Sequence, residues 1–156
     1  DGGDPEGRSA PDTDATALVV LALLEVDDPS VEVTEALQRA QAWLVEQQAA
    51  DGSLVAEPGA PDPVPSSNST GLAGWVLGRL GACEEGAAAA QWLAAVQVPE
   101  GERAAGAVAY SLEAFESLPA SGRIVVPERD QWRRATAQAA PALQHLQPER
   151  CGSASP

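Results

Sequence analysis

The chain has 156 residues, is 44% hydrophobic and carries a net charge of −14. This length fits one domain of ordinary size with its own core. So strong an acidic excess argues against binding to nucleic acid or to an anionic membrane surface, because both present repelling phosphates. The longest apolar run, residues 15–24, is shorter than the roughly 18 residues that span a bilayer. We therefore expect an acidic domain that is not transmembrane.

The apolar pattern predicts six helices and no sheet. Residues 14–26 and 68–80 are apolar on nearly every face, which is typical of buried helices. Amphipathic helices are predicted after each of them, over 34–50 and 85–97. A fifth helix is predicted over 106–118 and a sixth over 128–147, kinked at Pro141. The order predicts an all-α fold of three helical hairpins, in which inner buried helices alternate with outer amphipathic ones.

A short motif recurs along the chain. The pattern Trp-Leu-x-x-x-Gln occurs at 43–48 and 92–97, and a weaker copy with Ala142 in place of the Trp occurs at 142–147. A fixed interval of about 50 residues indicates repeated supersecondary units that bury their apolar faces against each other.

The beginning of the chain matches the middle of a repeat. Asp1-Gly2-Gly3 parallels Asp51-Gly52-Ser53, which follows the Trp43 helix. We therefore expect that this chain is part of a longer protein, in which a further helix precedes residue 1. Residues 1–147 are predicted to form one repeat domain, and residues 148–156 a C-terminal linker or tail.

These residues resemble the α/α-toroid repeats of the terpene cyclase and protein prenyltransferase superfamily. The Trp-Leu-x-x-x-Gln motif followed by Asp51-Gly52 is similar to the repeat of squalene–hopene cyclases, with Leu54 at the place of its final Trp. The segments DTDATALVVLALL, NSTGLAGWVLGRLG and RDQWRRATAQA are similar to a group of exported bacterial proteins, and the cobalamin carriers share the toroid. The resemblance implies about half a toroid, located outside the cell or on its surface.

The segment Asp12-Thr13-Asp14-Ala15-Thr16 resembles the acidic motif of class II terpene cyclases. The resemblance implies Asp14 as the acid that protonates an alkene, with Asp12 as its helper. The residues themselves favour another interpretation, because Asp14 and Asn68 stand at matching helix starts and are both good N-cap residues. We therefore expect Asp14 to be an ionised cap.

The starts of the inner helices are predicted to share one end of the domain, together with Gly106 and the long loop 51–67. Residues there are candidates for contacting a small ligand, which the resemblance implies to be a corrinoid or an isoprenoid; a plain connector is the alternative. The candidate ligand-binding residues are Asp12, Asp14, Thr16, Asn68 and Thr70. Asn68-Ser69-Thr70 also fits the N-glycosylation pattern, but we expect a helix cap there.

A zinc site of the prenyltransferase type would need Asp, Cys and His together. The chain offers His145, Cys83 and Cys151. Three predicted helices between the cysteines would put them at opposite ends, roughly 20 Å apart. We therefore expect no metal site and no disulfide, with His145 on the outer face.

The function expected from these observations is a non-catalytic scaffold or small-ligand-binding module of an exported or surface bacterial protein. The alternatives are a class II terpene-cyclase-like enzyme and a structural or protein-interaction repeat. Because half a toroid exposes its inner helices, we expect either a homodimer across the open edges, a missing toroid half, or collapse into a compact bundle.

Overall fold

The computed structural model describes residues 11–147 together with Glu149 and Cys151, and its secondary structure is helical. Six α-helices form in this part of the chain: α1 Thr13–Leu23, α2 Val31–Gln47, α3 Ser67–Arg79, α4 Cys83–Ala95, α5 Leu112–Glu116 and α6 Arg129–Ala139. Two 3₁₀ segments, Val126–Glu128 and Ala142–Leu146, precede and follow α6. The all-α prediction is confirmed. The predictions on Asp1-Gly2-Gly3 and on most of the tail lie outside the described residues.

The first three long helices begin with a side-chain cap. Asp12 Oδ1 accepts a hydrogen bond from the N–H of Ala15 at 2.7 Å, and Ser66 Oγ accepts one from Ser69 at 3.2 Å. Ser30 caps α2 in the same way. The prediction that Asp14 and Asn68 are caps is wrong, because each already lies in the first turn, two residues after the true cap.

Helix α3 lies at the centre of the domain. Helices α1 and α6 flank it. Helix α2 packs against α1 and α3, and α4 packs against α3, so that α2 and α4 form a second layer. Close packing depends on glycines, since a Cβ atom at Gly71 would overlap the backbone at Gln138, and one at Gly74 would overlap Ala89. The predicted burial of α3 is therefore confirmed.

Helix α1 is not buried on all sides as its sequence predicts. Ala17 and Val20 are buried against α3, but Leu18 and Val19 are 54% and 58% exposed. The apolar composition of α1 thus includes one face that the described residues do not cover.

Two equivalent hydrogen bonds from loop N–H groups to helix threonines indicate the internal repeat. The N–H of Leu54 donates to Thr70 Oγ1 at 2.9 Å, and the N–H of Val108 donates to Thr136 Oγ1 at the same distance. Thr70 lies on α3 and Thr136 on α6. Helix α6 is therefore the counterpart of α3, an inner helix, and not the third outer helix that the weak motif at 142–147 predicts.

The glutamines of the two Trp-containing motifs also occupy equivalent positions. Gln48 Nε2 donates to the carbonyl of Gly52, and Gln97 Nε2 to the carbonyl of Gly106, both at 3.0 Å. Both glycines have a positive φ, 88° and 83°, which an L side chain rarely adopts. Each glutamine therefore closes the turn that follows its outer helix.

The prediction of a fifth helix over 106–118 is wrong: only the five residues of α5 are helical. Its first half is extended, because the carbonyl of Ala107 accepts the N–H of Val98 and the N–H of Val108 bonds Thr136. An antiparallel bridge joins Gln97 to Val108. These tertiary hydrogen bonds outweigh the helix propensity of an Ala-rich segment.

Candidate functional site

The predicted site residues lie at the starts of α1 and α3, which pack side by side. Loops close over both starts: the N–H of Thr13 donates to the carbonyl of Ala56 at 2.9 Å, and that of Ser67 donates to Tyr110 at 2.8 Å. The structure therefore brings the helix starts and the long loops to one end. Gly106 belongs to a turn and does not begin a helix, which corrects the prediction for that residue.

Three of the five predicted ligand-binding residues have structural partners. Asp12 caps α1, and the hydroxyl of Thr16 donates to the carbonyl of Asp12 at 2.7 Å. The buried hydroxyl of Thr70 binds the backbone of Leu54. These contacts hold helix starts and loops together; Thr70 uses its hydroxyl both as donor and as acceptor, whereas Oδ2 of Asp12 and the oxygen of Thr16 can still accept a hydrogen bond.

The other two residues keep free acceptors. Asp14 Oδ1 and Asn68 Oδ1 are buried oxygens without a hydrogen-bond partner among the described residues. Nearly all buried polar atoms in proteins are paired, so two unpaired acceptors on neighbouring helix starts require an explanation. A ligand or solvent molecule that donates N–H or O–H groups would satisfy them.

The carboxyl group of Asp14 is easier to protonate than an ordinary aspartate. Burial raises its pKa above the usual 3.8, the hydroxyl of Ser69 acts in the opposite direction, and the nearby charge of Asp12 raises it further. The direction of this shift is opposite to the one expected for a helix cap that is held ionised. A neutral Asp14 would be a hydrogen-bond donor as well as an acceptor.

Cys83 and Cys151 form a disulfide, with Cα atoms 5.5 Å apart. The prediction that they lie at opposite ends is wrong. Because residues 97–128 mostly form a loop, the chain crosses the domain twice between the cysteines, along α4 and then along α6 with the following 3₁₀ segment. Two crossings return it to the same end. A pair of cysteines in a chain expected to be exported is the sequence signal for this disulfide.

His145 is buried beside this disulfide, not on the outer face as predicted. Its ring packs against Gly78, whose carbonyl oxygen lies 3.5 Å from Cys151 Sγ of the disulfide. Nε2 lies 3.3 Å from the carbonyl of Trp75, whereas Nδ1 has no partner. Burial lowers the pKa of His145 below its ordinary value, although the Trp75 carbonyl acts in the opposite direction.

Oxidation of both cysteines removes the thiolates that a zinc ion would require. In the part of the chain that the structure describes, no group of three His, Cys, Asp or Glu side chains is arranged to hold a metal ion.

Two apolar grooves lie at opposite ends of the helix array, which is the row formed by α1, α3 and α6. The groove of about 420 Å³ between α1 and α2, here called the trailing groove, is lined by Pro11, Asp12, Ala15, Thr16, Val19, Val20, Leu23, Ala36 and Ala40. The groove of about 400 Å³ on α6, here called the leading groove, is lined by Ala107, Ile124, Arg129, Trp132, Arg133, Thr136 and Ala137. Their volumes are in the range of small-molecule sites.

Comparison with known proteins identifies no relative: no family profile, no curated protein and no solved structure matches this chain. Among the described helices, none combines the length and the apolar character that crossing a bilayer requires. The assignment of function therefore depends on the geometry of the chain itself.

Proposed function

We propose that the chain is a non-catalytic helical repeat scaffold of an exported or surface-attached bacterial protein. One observation carries this proposal: the polar residues that recur in the sequence hold one repeat to the next. Thr70 and Thr136 fasten loops to inner helices, and Gln48 and Gln97 close the turns after outer helices. Gln48 also donates to the carbonyl of Glu85, which links α2 to α4. A motif used in this way specifies architecture and not chemistry.

Export is supported by the Cys83–Cys151 disulfide. Disulfides persist in oxidising compartments and are rare where glutathione keeps thiols reduced. The proposal is tested by alkylating the protein at the moment its source cells are lysed, and by mass spectrometry of the secreted, surface and cytoplasmic fractions. Export predicts that the protein in the outer fractions has no alkylated cysteine. A cytoplasmic protein with two alkylated cysteines would refute it.

A small-ligand module of the carrier type is the second candidate. The unpaired oxygens of Asp14 and Asn68 favour it, because they offer acceptors at one end of the domain. Native mass spectrometry of the gently purified protein, alone and after addition of a corrinoid or a linear isoprenoid, distinguishes the two. Bare protein in all three samples supports the scaffold. A bound species that is lost in both Asp14→Ala and Asn68→Ala, but kept in the surface control Arg103→Ala, supports the carrier.

The cyclase-like alternative is favoured by the raised pKa of Asp14, since an alkene-protonating acid must carry its proton. The trailing groove beside Asp12 is lined by aliphatic and small polar residues, whereas stabilisation of carbocations needs aromatic faces. Incubation with squalene, followed by gas chromatography–mass spectrometry of the extract, tests this function. Cyclised product that disappears in Asp14→Asn would support the enzyme and refute the scaffold.

A further inference from the structure

The two grooves occupy positions that are filled in the middle of the array. Arg133 of the leading groove is the counterpart of Ser67, because each lies three residues before the threonine that binds the loop backbone. At Ser67 the space is filled by the following loop: its hydroxyl donates to the carbonyl of Ala109 and its N–H to Tyr110. On α6, the matching space is the leading groove.

The exposed face of α1 shows the same relationship at the other end. Thr13 and Ser67 are counterparts, since each donates its N–H to the loop that follows it in the repeat. In this register Val19 corresponds to Ala73, and Ala22 to Val76. Ala73 and Val76 are completely buried in a cluster with α1, whereas Val19 is 58% exposed. The face of α3 that α1 covers therefore has a counterpart on α1, and none of the residues that the structure describes covers that counterpart.

The two ends carry opposite charge. Residues 123–140, around the leading groove, contain four arginines and two acidic residues. Residues 11–40, around the trailing groove, contain seven acidic residues and one arginine. The side chain of Arg133 is 75% exposed. With these charges, like ends of two copies repel each other, and the leading end of one copy attracts the trailing end of another.

The repeat register also pairs individual charges. Arg134 is the counterpart of Asp14, which lies beside Ser69 at the start of α3. If another helix docked on α6 in the way that α3 packs on α1, its first turn would therefore lie beside Arg134. The first turn of α1 carries Asp14, and its cap is Asp12.

We propose that a second copy of this chain docks head to tail, with the α1 face and trailing groove of one copy against the α6 face and leading groove of the other. The contact continues the α1–α3 packing across the boundary between copies. Two copies form a closed ring if the rotation permits, and longer assemblies follow if it does not. The proposal depends on the repeat geometry and not on the proposed function.

Light scattering coupled to size-exclusion chromatography of the oxidised 156-residue chain at tens of micromolar tests the proposal. We expect an assembly larger than a monomer that weakens as salt is raised, because the charges at the interface are screened. A monomer at this concentration would overturn the proposal.

Two variants block one end each. Val19→Arg introduces bulk and positive charge into the trailing face, and Arg133→Glu with Ala137→Glu reverses the leading face. All three positions are solvent-exposed, and circular dichroism checks that each variant keeps the wild-type helix content. Each variant alone should be monomeric, with a dissociation constant raised at least about tenfold. Arg103→Glu with Ala105→Glu, on an exposed loop, is the matched control and should assemble as the wild type does.

Mixing the two blocked variants gives the decisive measurement. Each keeps the end that the other has lost, so a head-to-tail contact predicts a heterodimer in the mixture and no larger species. If either variant alone still dimerises, the contact joins like ends and the proposal is wrong. A monomeric wild type that assembles only after deletion of residues 1–10 would show that this segment covers the groove, which also overturns it.

Discussion

The imidazole of His145 packs against Gly78 so closely that no Cβ atom fits between them. Gly78 is buried on α3, and His145 lies in the 3₁₀ segment that continues α6. The contact therefore holds the end of the third inner helix against the central helix, directly beside the disulfide.

Gly78→Ala should destabilise the fold by about 2–4 kcal/mol, because the added methyl group overlaps a ring that buried neighbours hold in place. Urea unfolding followed by circular dichroism measures the loss. Gly59→Ala is the matched control, since a Cβ atom at Gly59 meets no neighbouring atom within 4 Å. The double variant Gly78→Ala/His145→Ala should lose less than the sum of the two single variants. Additive losses would show that the two residues do not interact.

Reduction of Cys83–Cys151 should lower the free energy of unfolding by about 4 kcal/mol, as expected for a loop closed over a sequence separation of 68 residues. The cross-link acts mainly by restricting the unfolded chain. Thermal unfolding of the oxidised protein, the reduced protein and Cys83→Ala/Cys151→Ala provides the comparison. The reduced protein and the double variant should agree closely, and an unchanged midpoint in both would contradict the prediction.

Thr70→Val should cost about 1–3 kcal/mol, because it leaves the buried N–H of Leu54 without an acceptor. Thr136→Val should act similarly at Val108. Thr16→Val is the control: the hydroxyl of Thr16 donates to the carbonyl of the cap residue of its own helix, and no loop N–H within residues 11–147 donates to it. Equal losses at Thr16 and Thr70 would argue against the specific role of the loop contacts.

Stability should fall as the pH is lowered through the range below 6.5 because of His145. Its pKa in the folded state lies below the ordinary value of 6.5, so the unfolded chain binds the proton more tightly. The loss begins near pH 6.5 and is complete below the folded pKa. His145 is the only histidine, so its ring resonances report this pKa directly. His145→Gln should remove this component of the pH dependence; an unchanged profile would show that other groups cause it.

Asp14 should have the opposite effect. Its folded pKa lies above the ordinary 3.8, so the protonated form is favoured by folding and stability decreases as the pH rises through that window. Asp14→Asn should therefore be more stable than the wild type at neutral pH; the difference should shrink as the pH falls below the folded pKa and disappear below 3.8. Asp12→Asn is the comparison: Asn is an equally good cap, but the change removes the charge that helps to raise the pKa of Asp14, so it should give a smaller gain in stability than Asp14→Asn. Destabilisation by Asp14→Asn would indicate that the hydrogen bond from the Ser69 hydroxyl outweighs the cost of burying the charge.

The sequence was a good guide to local structure where one periodicity dominated. The four helices α1 to α4 lie within about three residues of their predicted bounds, and the break at Pro141 is confirmed as the point where α6 gives way to a 3₁₀ segment. The caps were predicted two residues late because several Asp, Asn and Ser residues precede each helix, and all are suitable caps.

The errors in the second half of the chain have one origin. Residues 106–118 have helical composition, but hydrogen bonds to residues distant in the sequence hold Val108 extended. A helix over 106–118 would add a third crossing of the domain between the cysteines, whereas the structure has two. For this reason the sequence pattern does not predict the disulfide, the burial of His145 or the position of α6 as an inner helix. The sequence predicts that the candidate residues share one end of the domain, as they do, but which of their oxygens lack partners depends on loops that local patterns do not specify.

The disulfide also makes part of the chain a covalent loop, from the start of α4 to Cys151. This loop contains the exposed segment around Glu100, Arg103 and Arg123, where proteases would cut most readily. A single cut there would leave α6 tied to α4 through the sulfur atoms. A nicked molecule would therefore keep its mass, apart from one added water, and would separate into two fragments only after reduction and unfolding.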